Sequence, residues 1–144
     1  MEPDHVHMTY IRCTRDALWD ALTRAGAVAS HHFAGIAARG DLTATGDVQT
    51  HHVGDATVLT QKVVEALPKS RLAVDFTPGW ADPPTTSRVV FRLQAVGAAQ
   101  RLTIEHYGDA AQDRAEDGWA RFASNLKSWL ETGETVIGRM DGVA

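Results

Sequence analysis

The chain reads as an α+β fold in which a curved antiparallel sheet wraps a long C-terminal helix, with two short helices after the first strand. Three observations predict this. Asp117–Gly133, DGWARFASNLKSWLETG, puts Trp119, Phe122, Leu126, Trp129 and Leu130 on one helical stripe. From Gly35 to Tyr107, glycine and proline punctuate short alternating segments, as in a β-meander. The order strand, short helices, about six strands and long helix then gives that stripe one apolar sheet face to cover. A twisted sheet of this length curls, and a curled sheet around a helix leaves room for a cavity.

Val6–Cys13 is short and β-rich, and opens the fold as a strand. Thr14 caps a helix running through Leu22, where Asp16 complements the helix dipole and Leu18, Trp19 and Leu22 form the buried face. A second, poorer helix runs from Ala25 to about Ser30, weakened by Gly26. Strands follow at Ile36–Leu42, Asp47–His52, Thr57–Ala66, Arg71–Thr77, Ser87–Val96 and Arg101–Tyr107. In the last three, Leu72, Val74 and Phe76, then Val89, Phe91 and Leu93, then Leu102, Ile104 and His106 share the apolar face. Asp75, Arg88, Arg92, Gln94, Arg101, Thr103 and Glu105 take the wet face.

Parity is less clean earlier in the meander. Val48, Thr50 and His52 are read as inward, which selects His52 over His51. Lys62 shares parity with Thr60 and Val64 and faces inward unless the strand bulges. Thr77–Thr86, TPGWADPPTT, is a loop and a candidate lid carrying Trp80. On the closing helix, Arg121, Asn125, Lys127 and Glu131 are assigned to the polar side, and Gly133 stops the helix. Residues 134–144 form a tail held, if at all, through Val136 and Ile137. The whole of 1–144 is expected to be one domain with its core at about 8–133.

A chain of 144 residues, 44% hydrophobic and 22% charged, fits one substantial globular core. Its net charge of −4 argues against nucleic-acid binding, and no apolar run is long enough for a membrane span. The N-terminus lacks the basic and apolar regions of a signal peptide, and Cys13 is the lone cysteine, so a cytoplasmic setting is expected.

Four segments in order resemble the SRPBCC superfamily, with its helix-grip or START-like fold, and within it the branch named for activator of heat-shock-protein-90 ATPase homologues. Thr14–Thr23, TRDALWDALT, is similar to the family's Pro-Glu-x-x-Trp-x-Ala-Leu-Thr segment. Val63–Phe76, VVEALPKSRLAVDF, resembles its strand–Pro–Arg-Leu–strand hairpin. Ser87–Gly108, SRVVFRLQAVGAAQRLTIEHYG, resembles its penultimate hairpin, and Gly118–Gly133, GWARFASNLKSWLETG, its closing helix. Two departures stand out. Arg15-Asp16 replaces the usual Pro-Glu, and Ser30-His31-His32-Phe33-Ala34-Gly35 stands where many members carry a tryptophan pair. The resemblance implies a cavity scaffold shared by hydrophobic-ligand carriers, aromatic polyketide cyclases, hormone receptors and co-chaperones, so fold does not choose among them.

Seven histidines is high for this length, and four form the pairs His31-His32 and His51-His52. His32, His52 and His106 are candidate ligand contacts, acid–base groups or metal ligands, against the plainer reading of His106 as a hydrogen-bonded core histidine. His31 and His51 are expected at the surface. His5-x-His7 has strand spacing for a metal but no accompanying ligand cluster, so no metal and no cofactor are expected. No nucleophile elbow, Walker pattern or dinucleotide fingerprint occurs. The leading expectation is a hydrophobic or aromatic small-molecule binder, lined by Phe76, Phe91, Ile104, Trp119, Phe122 and Leu126, anchored by His52 and His106, with His32, Phe33 and Trp80 at its mouth. The alternatives are a cyclase or dehydratase using a cavity histidine, and a co-chaperone-like interaction module. The assembly is left open between a monomer and a homodimer.

Overall fold

The computed structural model describes residues 2–79, 85–108 and 115–138. Strand β1 (His5–Ile11) leads into α1 (Arg15–Thr23) and α2 (Ala25–His31). Six strands follow: β2 (Ala37–Arg39), β3 (Val48–Val53), β4 (Ala56–Leu67), β5 (Arg71–Pro78), β6 (Ser87–Val96) and β7 (Ala99–Tyr107). The closing helix is α3 (Ala115–Thr132). Every neighbouring strand pair is antiparallel, and the sheet order is β1-β7-β6-β5-β4-β3-β2.

Local chemistry sets the boundaries. Thr14 Oγ1 accepts from the Ala17 N–H at 3.1 Å and starts α1. Gly133, at φ +83°, ends α3 with its N–H on the Trp129 carbonyl. β2 is only three residues long and ends before Gly40, where the backbone passes hard against β3; a Cβ there would overlap the Val48 carbonyl oxygen.

The apolar sheet face and the α3 stripe meet as expected. Ile11, Leu72, Val74, Val89, Leu102 and Ile104 pack into one cluster with Trp119, Phe122 and Leu126. Each such side chain contributes about 1.5–3 kcal/mol by leaving water. No helix among the described residues is long and apolar enough to cross a membrane.

Three parities differ from expectation. In β3 the buried residues are Gln49 and His51, while Val48 is exposed. The cause is polar: Gln49 Nε2 donates to the carbonyls of Thr23 and Gly40, so the amide goes inward and the valine outward. In β4, Leu59, Gln61 and Val63 face the core and Lys62 is exposed. A register shift between Val63 and Glu65 swaps the parity, so that Ala66 beyond it packs inward. In α3, Asn125 is fully buried rather than on the polar side, where its side chain binds the backbone of Val136 and Ile137.

Candidate histidine and aromatic site

α3 lies over the sheet with its aromatic residues at the centre of a connected series of rings. Trp119 contacts Phe76, Phe91, His106 and Phe122 at centroid separations of 5.4–5.9 Å. Phe122 links this group to a second one: it lies 5.5 Å from His31 and 6.1 Å from His32. His31 also meets Trp129, and His32 stacks on Phe33 at 4.6 Å and meets His51 edge-on at 5.5 Å.

The histidine placement partly corrects the sequence reading. His106 is inward as expected, 3% exposed. His31 and His51, expected at the surface, are buried at 0% and 3%. His52, expected inward, is half-buried on the opposite parity and bonds Thr50 Oγ1 at 2.7 Å. Ile104 and Leu126 are wholly buried, Phe76 and Phe33 half-buried against the core. Trp80 lies outside the described residues. His31 carried a readable signal: Ala25, Val28 and His31, at spacings of three, form the buried face of α2. Gln49 and Ser87 carried none.

Hydrogen bonds pin the tautomers. The Trp119 indole can only donate, and its Nε1–H points to His106 Nδ1 at 2.9 Å. His106 therefore carries its proton on Nε2 and donates it to Ser87 Oγ at 2.7 Å. His31 Nε2 donates to the Ala21 carbonyl at 2.8 Å, leaving Nδ1 a buried lone pair with no partner among the described residues. Gln49, with its NH2 committed to two carbonyls, presents Oε1 to His51, so His51 Nε2 is also the protonated nitrogen. His32 Nδ1 accepts from the Ala34 N–H, which puts its proton on Nε2, where no protein acceptor stands among the described residues.

Burial holds these rings neutral. His32 is pushed down to about 3, first by burial and then by His51 and His31. His51 is pushed to about 4 by burial, His52 and His31, and His106 to about 4 by burial and His5, with Asp4 opposing. His31 is lowered mainly by burial, against its bond to Ala21. The buried polar side chains among the described residues are Thr23, His31, Gln49, His51, Gln61, Ser87, Gln100, His106 and Asn125, and none is a formal cation or anion.

These assignments limit the chemistry. A base needs a lone pair and a proton affinity near the working pH. The Nδ1 of His106 is occupied by an indole N–H, and its Nε2 points a proton, not a lone pair, at Ser87. The arrangement does not activate Ser87 as a nucleophile.

Two concavities among the described residues lie away from the space between α3 and the sheet. One, about 360 Å³, is lined by Asp117, Ala120, Arg121, Ser124 and Ile137 on the far side of α3. The other, about 490 Å³, runs over the end of β5–β7 past Arg71, Asp75, Ser87, Arg88 and Tyr107.

Residues 12–131 match the sequence profile of the family described as Activator of Hsp90 ATPase homolog 1-like protein. No curated protein matches. Among solved structures, DynU16, described as a protein of the dynemicin biosynthetic locus, has a TM-score of 0.75 at 20% identity, covering 93% of this chain and 49% of its own. The chain thus spans about half the length of that protein. The Aha1 dimer from Colwellia psychrerythraea has a TM-score of 0.70 at 17% identity, covering 89% and 96%. An HSP90 activator from Plasmodium falciparum has a TM-score of 0.72 at 16% identity, covering 90% and 96%.

Proposed function

The chain belongs to the Activator of Hsp90 ATPase homolog 1-like family, a branch of the helix-grip superfamily, and from that membership we propose that it is a non-catalytic binding domain for an uncharged aromatic small molecule. The observation that carries this reading is the interior itself: a series of aromatic and neutral imidazole rings with no buried formal charge among the described residues. An ionised ligand would enter that space without a counter-ion, at a cost of several kcal/mol. Lys62, the one cation whose sequence parity pointed inward, stands exposed on the other face.

Entry requires displacement of the His32–Phe33 stack, which packs beside Phe122. Once that stack moves, the His32 Nε2–H and the His31 Nδ1 lone pair offer one donor and one acceptor to a hydroxyl or carbonyl on the ligand. The cyclase reading is weaker, because the tautomer of His106 removes its base. The description of DynU16 as belonging to a biosynthetic locus agrees with a small-molecule role. We place the domain in the cytoplasm, in keeping with the free, half-buried Cys13.

The test is competitive fluorescence with a neutral arylnaphthylamine and its anionic sulfonate analogue. The neutral probe is expected to bind at least about tenfold tighter and to quench tryptophan emission, since an unpaired buried charge costs more than the ~1.4 kcal/mol that tenfold represents. Equal binding of both, or of neither, would sink the proposal.

A further inference from the structure

His31 is wholly buried, and one of its two ring nitrogens has no partner among the described residues. Local sequence puts the ring there. Ala25, Val28 and His31 form the buried face of α2, so the last turn of that helix carries the imidazole against Phe122 and Trp129, each at 5.5 Å. Nε2 donates to the Ala21 carbonyl at 2.8 Å, and a carbonyl can only accept, so the proton sits on Nε2. Nδ1 is then a bare lone pair set among aromatic rings.

The donors in this part of the interior do not serve it. His51 Nε2–H goes to Gln49, whose own amide hydrogens are committed to the Thr23 and Gly40 carbonyls. The Trp119 indole N–H goes to His106. His32 Nε2–H lacks an acceptor, yet the two adjacent histidines do not bond each other. Protonation would satisfy Nδ1, but burial lowers the ring's proton affinity and opposes it. Native interiors pair their polar groups, so an exception inside a binding space marks where a ligand's donor belongs.

We propose that His31 determines specificity, selecting an aromatic ligand that carries a hydroxyl and accepting that O–H at Nδ1. This rests on the aromatic-binding reading above and narrows the ligand's polar group from hydroxyl or carbonyl to hydroxyl. A carbonyl, an ether or a bare ring has no hydrogen to give and leaves Nδ1 unmet. A hydroxyl donates to His31 and keeps its oxygen lone pairs for the His32 Nε2–H, so one atom answers both rings packed against Phe122. The ionised phenolate is rejected twice. It has lost the hydrogen that Nδ1 needs, and it brings a charge into an interior with no buried cation among the described residues.

Three probes built on one ring system test this on the full chain: β-naphthol, its methyl ether and naphthalene. Each is titrated against bound neutral arylnaphthylamine. Wild type is expected to bind β-naphthol at least about tenfold tighter than the other two, since they leave a buried acceptor unpaired. His31→Phe keeps a ring against Phe122 and Trp129 but removes the lone pair. It should shrink the preference to within about twofold while leaving affinity for the methyl ether in place. Because that change also strips the Ala21 carbonyl of its donor, a second measurement uses the unaltered chain. In nitrogen NMR with labelled histidine, the His31 Nδ1 resonance should move upfield on addition of β-naphthol and stay put with the methyl ether.

If none of the three displaces the arylnaphthylamine, the binding reading itself fails and this inference falls with it. If all three do so within about threefold of one another, the binding reading stands and the role of His31 is overturned. A preference that survives His31→Phe overturns it too. So does an Nδ1 resonance that β-naphthol leaves unmoved, the result expected where a retained water already holds the lone pair.

Discussion

Lowering the pH should unfold this protein through its buried imidazoles. The folded state holds His51 and His106 neutral down to about 4 and His32 to about 3, whereas the unfolded chain protonates them near 6.5. The unfolded state thus binds more protons between those values, and stability rises with pH. The contribution is fully present above 6.5 and is lost as pH falls towards the folded values. By linkage each ring forfeits about 2 kcal/mol between pH 7.5 and pH 5, or roughly 6 kcal/mol for the three, against a typical domain stability of about 5–15 kcal/mol. His31, lowered in the same direction, adds to this. Urea titrations followed by tryptophan emission, at half-unit steps from pH 8 to pH 5, measure it. The slope of unfolding free energy near pH 5.5 should correspond to uptake of two to three protons, or roughly 3–4 kcal/mol per pH unit. Asp47 and Glu131, whose folded carboxyls are lowered, act only below about 4.5 and stay out of the window. His51→Gln and His106→Gln should each remove about one proton from the slope, whatever they do to absolute stability. A slope under one proton, or one unchanged in both variants, would refute the argument.

Other outcomes follow from single contacts. Phe122→Ala breaks the link between the two ring groups and should cost about 3–5 kcal/mol in denaturant unfolding. Gly40→Ala forces a Cβ against the Val48 carbonyl at positive φ, and should lower stability by more than about 1 kcal/mol, read as a drop in thermal midpoint. Asn125→Leu leaves the Val136 and Ile137 amides without their acceptor and should speed their hydrogen exchange, with a loss of about 1–3 kcal/mol.

The fold was legible where hydrophobic alternation was uninterrupted. β5, β6 and β7 lie where their patterns put them, and so does the α3 stripe, because each buries one continuous apolar face. The site was less legible, because its placement depends on polar residues that periodicity treats as outward. Gln49 is inward for two backbone carbonyls, one of which belongs to α1. Its parity carries His51 in and His52 out. The β4 shift between Val63 and Glu65 defeats extrapolation from Val64 back to Lys62. Asn125 is buried for the sake of two amides eleven and twelve residues on, a partner that no helical wheel can display.

Lys127 of α3 donates to the Tyr10 carbonyl of β1, and Glu131 accepts from the Arg12 N–H, a pair of contacts that also bears on how the chain is made. Lys127 and Tyr10 are 117 residues apart, and β1 pairs with β7 across nearly as great a separation. On the ribosome the first strand emerges with neither its ladder partner nor the lysine that covers its end. Until α3 is synthesised, an uncharged apolar strand waits with open hydrogen-bonding groups, the condition under which nascent chains stick to one another. Non-local pairing of this kind also slows folding. The last helix is therefore the step that covers the end of the first strand, and a chain truncated before Lys127 should aggregate rather than simply lose stability.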